Sequence, residues 1–271
     1  MRIFVTGASG WIGSAVVPEL LSAGHEVVGL ARSEASVQRL EAAGATVARG
    51  DLDDPDGLAK EAADSDGVIH LAFQHEVAFG GNFAAAGVAD RQAVEAIGAA
   101  LAGSDRPFVL ASGLGLATGR PATEEDGLMP SEGIRANPAG GRAATALLAL
   151  SLRGIGVRSS VLRFPPTVHG DGDHGFIAML VAIARQQGVV GYVGDGTNRW
   201  PAVHRADAAR LARLAVESAP AGSVLHAVAD EGVVFGEIAE AMGHHLGAPT
   251  KSIDPADAVD HFGTMGLFAG L

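Results

Sequence analysis

Tyr192, in the stretch GYVGDG, is the only tyrosine among 271 residues. Lys60 and Lys251 are the only lysines, and there is no cysteine. Acid–base work in this chain therefore falls largely to hydroxyls, carboxylates and ten histidines. A phenol can donate a proton, so Tyr192 is one candidate acid; pocket lining and ordinary packing are its alternatives. Imidazole titrates near neutral pH and is a second. His169 and His174 bracket VHGDGDHG, where histidines mix with aspartates. A metal could use such groups, but the run has no helical or hairpin His spacing, so a turn whose Asp side chains cap the next helix is the reading adopted, with no metal. Without cysteine, thiolate nucleophiles, disulfides and Cys-based metal centres are excluded.

The clearest chemical signal is a glycine triplet. Thr6-Gly7-Ala8-Ser9-Gly10-Trp11-Ile12-Gly13 follows a short apolar run and opens a helical pattern. Gly7 permits a tight turn, Gly10 lets backbone approach a pyrophosphate, and Gly13 lets helix and strand pack closely. The helix N-terminus then faces the anion. Thr6, Gly7, Ser9, Gly10, Trp11, Ile12 and Gly13 are thus predicted to cradle a dinucleotide. The second strand ends in VVGLARS. A carboxylate there would repel a 2′-phosphate; Arg32 and Ser33 suit one, which favours NADP(H) while still admitting NAD(H). Arg32 has an alternative reading as a plain surface residue. After the third strand, Asp51 is a candidate acceptor for an adenine amino group, with Leu52 against the ring; a turn or cap is the alternative for Asp51. In IHLA, Leu71 and Ala72 end the fourth strand along the cofactor, and His70 reads as packed and hydrogen-bonded.

These residues need a scaffold of alternating strands and helices. Strands are predicted over Arg2–Thr6, Glu26–Leu30, Thr46–Ala48, Gly67–Leu71, Pro107–Ala111 and Val157–Arg163. Helices are predicted over Ile12–Ala23, Ala35–Ala43, Pro55–Ala63, Asn82–Leu101 and Ala143–Leu152. Asp54 is expected to cap the helix at Pro55. Short apolar strands separated by helices imply a parallel α/β sheet. Leu114–Ile134 reads as a long loop. Beyond it, helices are expected over Phe176–Gln187, Asp207–Glu217 and Phe235–His245, with extended segments at Val189–Val193 and Val224–Val228. The net charge of −12 and pI near 5.2 disfavour nucleic-acid and anionic-membrane partners. With no signal-like N-terminus or ~18-residue apolar run, a cytoplasmic protein is expected. The apolar ending HFGTMGLFAGL suggests that the natural chain continues or that this end docks on a partner.

Together TGASGWIG, GDLDD, DGVIHLA, VLASG, GIGVRSSVLRFPPTVHG and GDGTNRWPAVHRADAARLA resemble the extended short-chain dehydrogenase/reductases, the group that includes NAD-dependent epimerases and dehydratases. The resemblance implies a Rossmann doubly wound parallel sheet over residues 1–165 and a small C-terminal substrate-binding lobe over 166–271, with about 200–230 returning to the core. In that family a Ser holds the substrate oxygen, a Tyr transfers the proton, and a Lys lowers the Tyr pKa and binds the nicotinamide ribose. Ser112, followed by Gly113 in LASG, matches the serine. The helix that should supply Tyr-x-x-x-Lys reads GIRANPAGGRAATALLAL and holds neither residue. Tyr192 lies too late in the chain to be that tyrosine. The resemblance further places Pro165 and Thr167 at the nicotinamide, with Val168 offering backbone. The Arg that Arg199 matches in extended relatives contacts a substrate phosphate, which implies Arg199 as anionic anchor or, alternatively, an ion-pair partner; Gly113, Tyr192 and Asn198 are placed with it at the substrate, and Trp200 either walls that pocket or simply packs. The resemblance leaves His169 or His204, or water, to supply the proton.

The expected function is an NADP(H)-dependent oxidoreductase acting on a small carbonyl or alcohol. Its rivals are an NADP(H)-binding sensor without turnover and, third, a sugar-nucleotide epimerase or dehydratase. A homodimer through helices 82–101 and 143–152 is the expected assembly.

Overall fold

The computed structural model describes residues 1–114, 120–127 and 140–270. Of the predicted loop Leu114–Ile134, residues 115–119 and 128–134 lie outside the described residues. Chain contacts define two units, residues 1–164 with 205–227, and residues 165–204 with 228–271.

The first unit is a Rossmann-type α/β fold. Its strands are β1 (Arg2–Thr6), β2 (Glu26–Ala31), β3 (Thr46–Arg49), β4 (Gly67–His70), β5 (Pro107–Gly113), β6 (Arg158–Phe164) and β10 (Ser223–His226). They lie in the order β10-β6-β5-β4-β1-β2-β3, every pairing parallel. Strand order reverses between β1 and β4, where open sheets of this kind bind ligands at the strands' carboxyl ends. The flanking helices are α1 (Gly13–Ser22), α2 (Glu34–Ala42), α3 (Pro55–Ala63), α4 (His75–Phe79), α5 (Phe83–Leu101), α6 (Gly140–Ser151) and α8 (Arg205–Ser218). One core layer joins Phe4, Val28, Val68, Phe108, Leu110 and Val161 of the sheet to Leu58, Ile97 and Ala149 of the helices. Each such large apolar side chain contributes roughly 1.5–3 kcal/mol by leaving water. Asp54 caps α3, accepting from Gly57 N at 3.0 Å.

In the second unit, β7 (Thr167–His169), β9 (Arg199–His204) and β11 (Asp230–Val234) form one sheet, and β8 (Val190–Val193) with β12 (Thr250–Ile253) another. Helices α7 (Phe176–Gln187) and α9 (Phe235–Leu246) cover a core built on Trp200, Phe235 and Phe262. Sequence reading leaves Arg199–His204 without structure, because Pro201 interrupts the run. The strand forms because proline is tolerated where β-pairing is short and irregular. The helix predicted from Asp207 begins at Arg205. Asp207 thus sits in its first turn, where a carboxylate favours the dipole. No described helix is long and apolar enough to cross a membrane.

Candidate functional site

The turn after β1 is built around close approach. Gly7 has φ +66°, and a Cβ there would lie 2.7 Å from Ala72 N. A Cβ on Gly13 would lie 2.1 Å from the Gly7 carbonyl oxygen. Gly10 N donates to that same oxygen at 2.9 Å, closing the turn. Only glycine fits at Gly7 and Gly13, because any side chain would meet backbone. Helix α1 then has Ile12 at its N-cap with no side-chain cap, so its N-terminal dipole is open to an anion. Trp11 carries the Arg205 guanidinium over its ring at 4.2 Å.

Beneath the turn runs a buried polar chain. Thr6 Oγ1 accepts from Ala72 N at 3.2 Å and lies 2.8 Å from His70 Nδ1; His70 Nε2 lies 3.4 Å from Asp90 Oδ1. The arrangement is consistent if the Thr6 hydroxyl donates to Nδ1 and the Nε2–H faces Asp90. Leu71 N donates to the Thr6 carbonyl at 3.2 Å. Thr6, Leu71 and Ala72 are therefore held rigidly beside the glycines. Together these features are the cradle a dinucleotide requires, and the residues present fit that group.

At the end of β2, Arg32 is exposed, with Glu76 Oε2 at 3.6 Å. Ser33 caps α2, its Oγ accepting from Ser36 N at 3.2 Å. Asp51 Oδ1 accepts from Asp53 N at 2.8 Å, the turn arrangement foreseen as its alternative. Leu52 is packed into the core. Ser9, Gly10 and Ile12 remain partly or fully exposed on the turn.

Ser112 and Gly113 end β5. Ser112 pairs in register with Arg163 of β6, and Arg163 with His226 of β10. Register partners in a parallel sheet face one side, so these three polar side chains form a row at the carboxyl edge. Burial lowers the Arg163 pKa, opposed by Asp126 and Glu124. Burial lowers that of His226 too, with Glu124 opposing. Asp126 lies well below the usual carboxylate range because Arg120 and the Thr123 backbone bind it. On α6, Arg142 Nη2 donates to the Ala111 carbonyl at 2.8 Å, and its guanidinium lies 4.3 Å from the Phe73 ring centre. Burial lowers the Arg142 pKa while Asp90 raises it. Burial and Arg142 lower His75 in turn.

In the second unit, His169 and His204 are register partners on β7 and β9, with ring centres 5.4 Å apart. Two proposed proton donors, far apart in sequence, thus meet. Asp173 Oδ1 accepts from Gly175 N at 2.7 Å, so the turn expected of VHGDGDHG forms; the expected capping does not, since the helix at Phe176 has Gly175 as its N-cap and receives no side-chain cap bond. Thr167 is buried, Val168 is the middle residue of β7, and Pro165 precedes the strand. Tyr192 lies on β8 paired with Ser252 and packs against Gly196, partly buried. Asn198 Nδ2 donates to the Ala269 carbonyl at 3.0 Å, and Arg199 Nη1 to that of Gly232 at 2.9 Å. Trp200 is buried edge-to-face on Phe235, with ring centres 4.8 Å apart.

Sequence reading missed Arg142, Arg163 and His226. Arg163 had a signal, a lone charge inside the apolar strand SVLRF. Arg142 had one in GGRAATALL, a lone charge in an Ala-rich helical stretch. His226 had none, since its strand was expected to run two residues further.

Comparison with known proteins agrees with this geometry. The family model described as NAD(P)H-binding matches residues 7–152. An uncharacterized protein of Schizosaccharomyces pombe is 46% identical over 270 residues, covering 99% of this chain and 88% of that one. A 4-hydroxy-2-methyl-3-oxo-4-farnesyl-3,4-dihydroquinoline-1-oxide ketoreductase of Stigmatella aurantiaca is 30% identical over 227 residues, 83% of this chain and 67% of that one. The NAD-bound dTDP-glucose 4,6-dehydratase DesIV of Streptomyces venezuelae shares the fold, with a TM-score of 0.73 and 23% identity over 94% of this chain and 84% of that one. The chain belongs to the NAD(P)H-binding family, as an NAD(P)-dependent oxidoreductase-type protein of the extended short-chain dehydrogenase/reductase group.

Proposed function

We propose that this protein is a carbonyl reductase that prefers NADP(H). The observation that carries the reading is the coexistence, in one unit, of a glycine cradle that admits no Cβ and a serine at the carboxyl edge of the same sheet. The similarity to a ketoreductase supports reduction of a carbonyl. Bound reduced nicotinamide would supply a hydride to the carbonyl carbon. Ser112 donates a hydrogen bond to the carbonyl oxygen, stabilising the alkoxide that develops. The proton source is a histidine, His169 or His204, or water. Arg32 and the Ser33 hydroxyl supply the preference for a 2′-phosphate.

Titration with NADPH and NADH, followed by steady-state reduction of a ketone panel, tests this reading. NADPH is expected to bind at least tenfold more tightly, about 1.4 kcal/mol. Ser112→Ala is expected to lower kcat about 100-fold while leaving NADPH affinity within twofold. Equal turnover by wild type and S112A would remove Ser112 from the mechanism. One observation favours a second reading, a sensor that binds NADP(H) without turnover. The stretch GIRANPAGGRAATALLAL supplies no tyrosine or lysine, and its Arg142 is engaged by the Ala111 carbonyl and the Phe73 ring. NADPH binding with no consumption across the panel would select it.

A further inference from the structure

Arg163 is an anomalous charge of the first unit. Only 6% exposed, it has a buried Nη1 without a hydrogen-bond partner. Among the described residues, no ion pair compensates it. The carboxylates that face it are committed elsewhere or open to water: Asp126 accepts from Arg120 Nη1 at 2.8 Å and from Thr123 N at 2.7 Å, while Glu124 is half exposed and 4.0 Å from His226 Nδ1. A buried guanidinium left this way is costly, and native proteins seldom tolerate it without a ligand or a function. The next strand repeats the pattern. His226 Nε2 is also buried without a partner, and His226 is the register partner of Arg163. Two residues with orphaned nitrogens thus stand on adjacent strands at the carboxyl edge, with Ser112 next in the row.

The cofactor's own phosphates cannot be what they await. The glycine turn follows β1, and β6 lies three strands away through β5 and β4, roughly 14 Å at the usual strand spacing. The planar guanidinium fork matches a carboxylate, and an imidazole in its Nε2–H tautomer adds a donor.

We propose that Arg163 and His226 hold the carboxylate of an oxo acid whose carbonyl oxygen lies at Ser112, making this protein a reductase of anionic rather than neutral carbonyl compounds. The proposal rests on the reductase reading above. In the reaction the carbonyl carbon gains the hydride of reduced nicotinamide and the oxygen gains a proton. The carboxylate is unchanged and serves only as the handle.

Acetoacetate and its neutral methyl ester are the probes, with binding to the NADP⁺-saturated protein measured by calorimetry. Wild type is expected to bind acetoacetate saturably and at least tenfold more tightly than the ester. Arg163→Met is expected to bind both equally weakly, and in the absence of ligand to melt at or above the wild-type temperature, since it removes an uncompensated charge. Should Arg163→Met fail to fold, Arg163→Lys carries the comparison, with acetoacetate weakened at least fivefold and the ester unchanged. Absence of saturable acetoacetate binding by wild type, or unchanged acetoacetate affinity in the variant that folds, overturns the proposal. So does inorganic phosphate that competes with equal affinity, which would mark an unspecific anion site. Failure of the two readings looks different. Arg163-dependent acetoacetate binding without NADPH consumption sinks the reductase reading alone. Equal reduction of acid and ester by wild type and Arg163→Met sinks the carboxylate site alone.

Discussion

At the scale of single residues, cofactor choice and catalysis fall, in the proposed reading, on different side chains. Arg32 is exposed and, among the described residues, pairs only with Glu76, at 3.6 Å, a surface contact of little energetic weight. Its removal therefore leaves the fold intact. Arg32→Ala is expected to weaken NADPH binding about tenfold, roughly 1.4 kcal/mol, and to leave NADH within twofold. Fluorescence titration with both nucleotides measures the ratio; parallel losses for both would refute a 2′-phosphate role. Asp90 acts differently. It faces His70 at 3.4 Å and is the charge that opposes burial at Arg142. It thus belongs to the support beneath the glycine turn rather than to the reacting groups.

At the scale of elements, the β1–turn–α1 unit determines whether a dinucleotide can approach. Gly13→Ala would set a Cβ 2.1 Å from the Gly7 carbonyl, which is backbone and cannot rotate away. The turn must open, at a cost of about 3 kcal/mol, and the cradle distorts with it. Urea unfolding is expected to show that loss together with at least tenfold weaker binding of NADPH and NADH alike. A variant as stable and as competent as wild type would show that the turn is looser than its geometry. The β7–β9 pairing performs a second positioning task, since register alone brings His169 beside His204.

At the scale of the whole molecule, the first unit is closed by its late segment. Glu217 on α8 bonds His25 at 2.9 Å and Arg213 at 2.8 Å, and Arg213 reaches Glu19 of α1 at 2.7 Å. The His25 and Arg213 bonds lower the Glu217 pKa. A depressed carboxylate contributes stability above its ordinary titration range, near 4.5, and loses it as pH falls through the folded value. Glu217→Gln is expected to destabilise by on the order of 1 kcal/mol at pH 7 and by less at pH 3. Unfolding curves at the two pH values provide the check. Equal losses at both would assign the effect to packing instead of charge.

Local signals made much of this legible in advance. Glycine spacing after an apolar strand marks a dinucleotide turn, because tight φ and missing Cβ atoms are properties of the residues themselves. Alternating strands and helices marked the parallel sheet, and Asp54 before Pro55 marked a helix start. The missing tyrosine and lysine could also be read from composition alone. Strand Arg199–His204 was hidden because its pairing partners lie at 167–169 and 230–234, and proline masked its own preference. Only tertiary structure lined up Ser112, Arg163 and His226 across three strands and left two buried nitrogens without partners. Which side chains share a face depends on strand order and register. Both are set by long-range packing, which no local stretch of residues encodes.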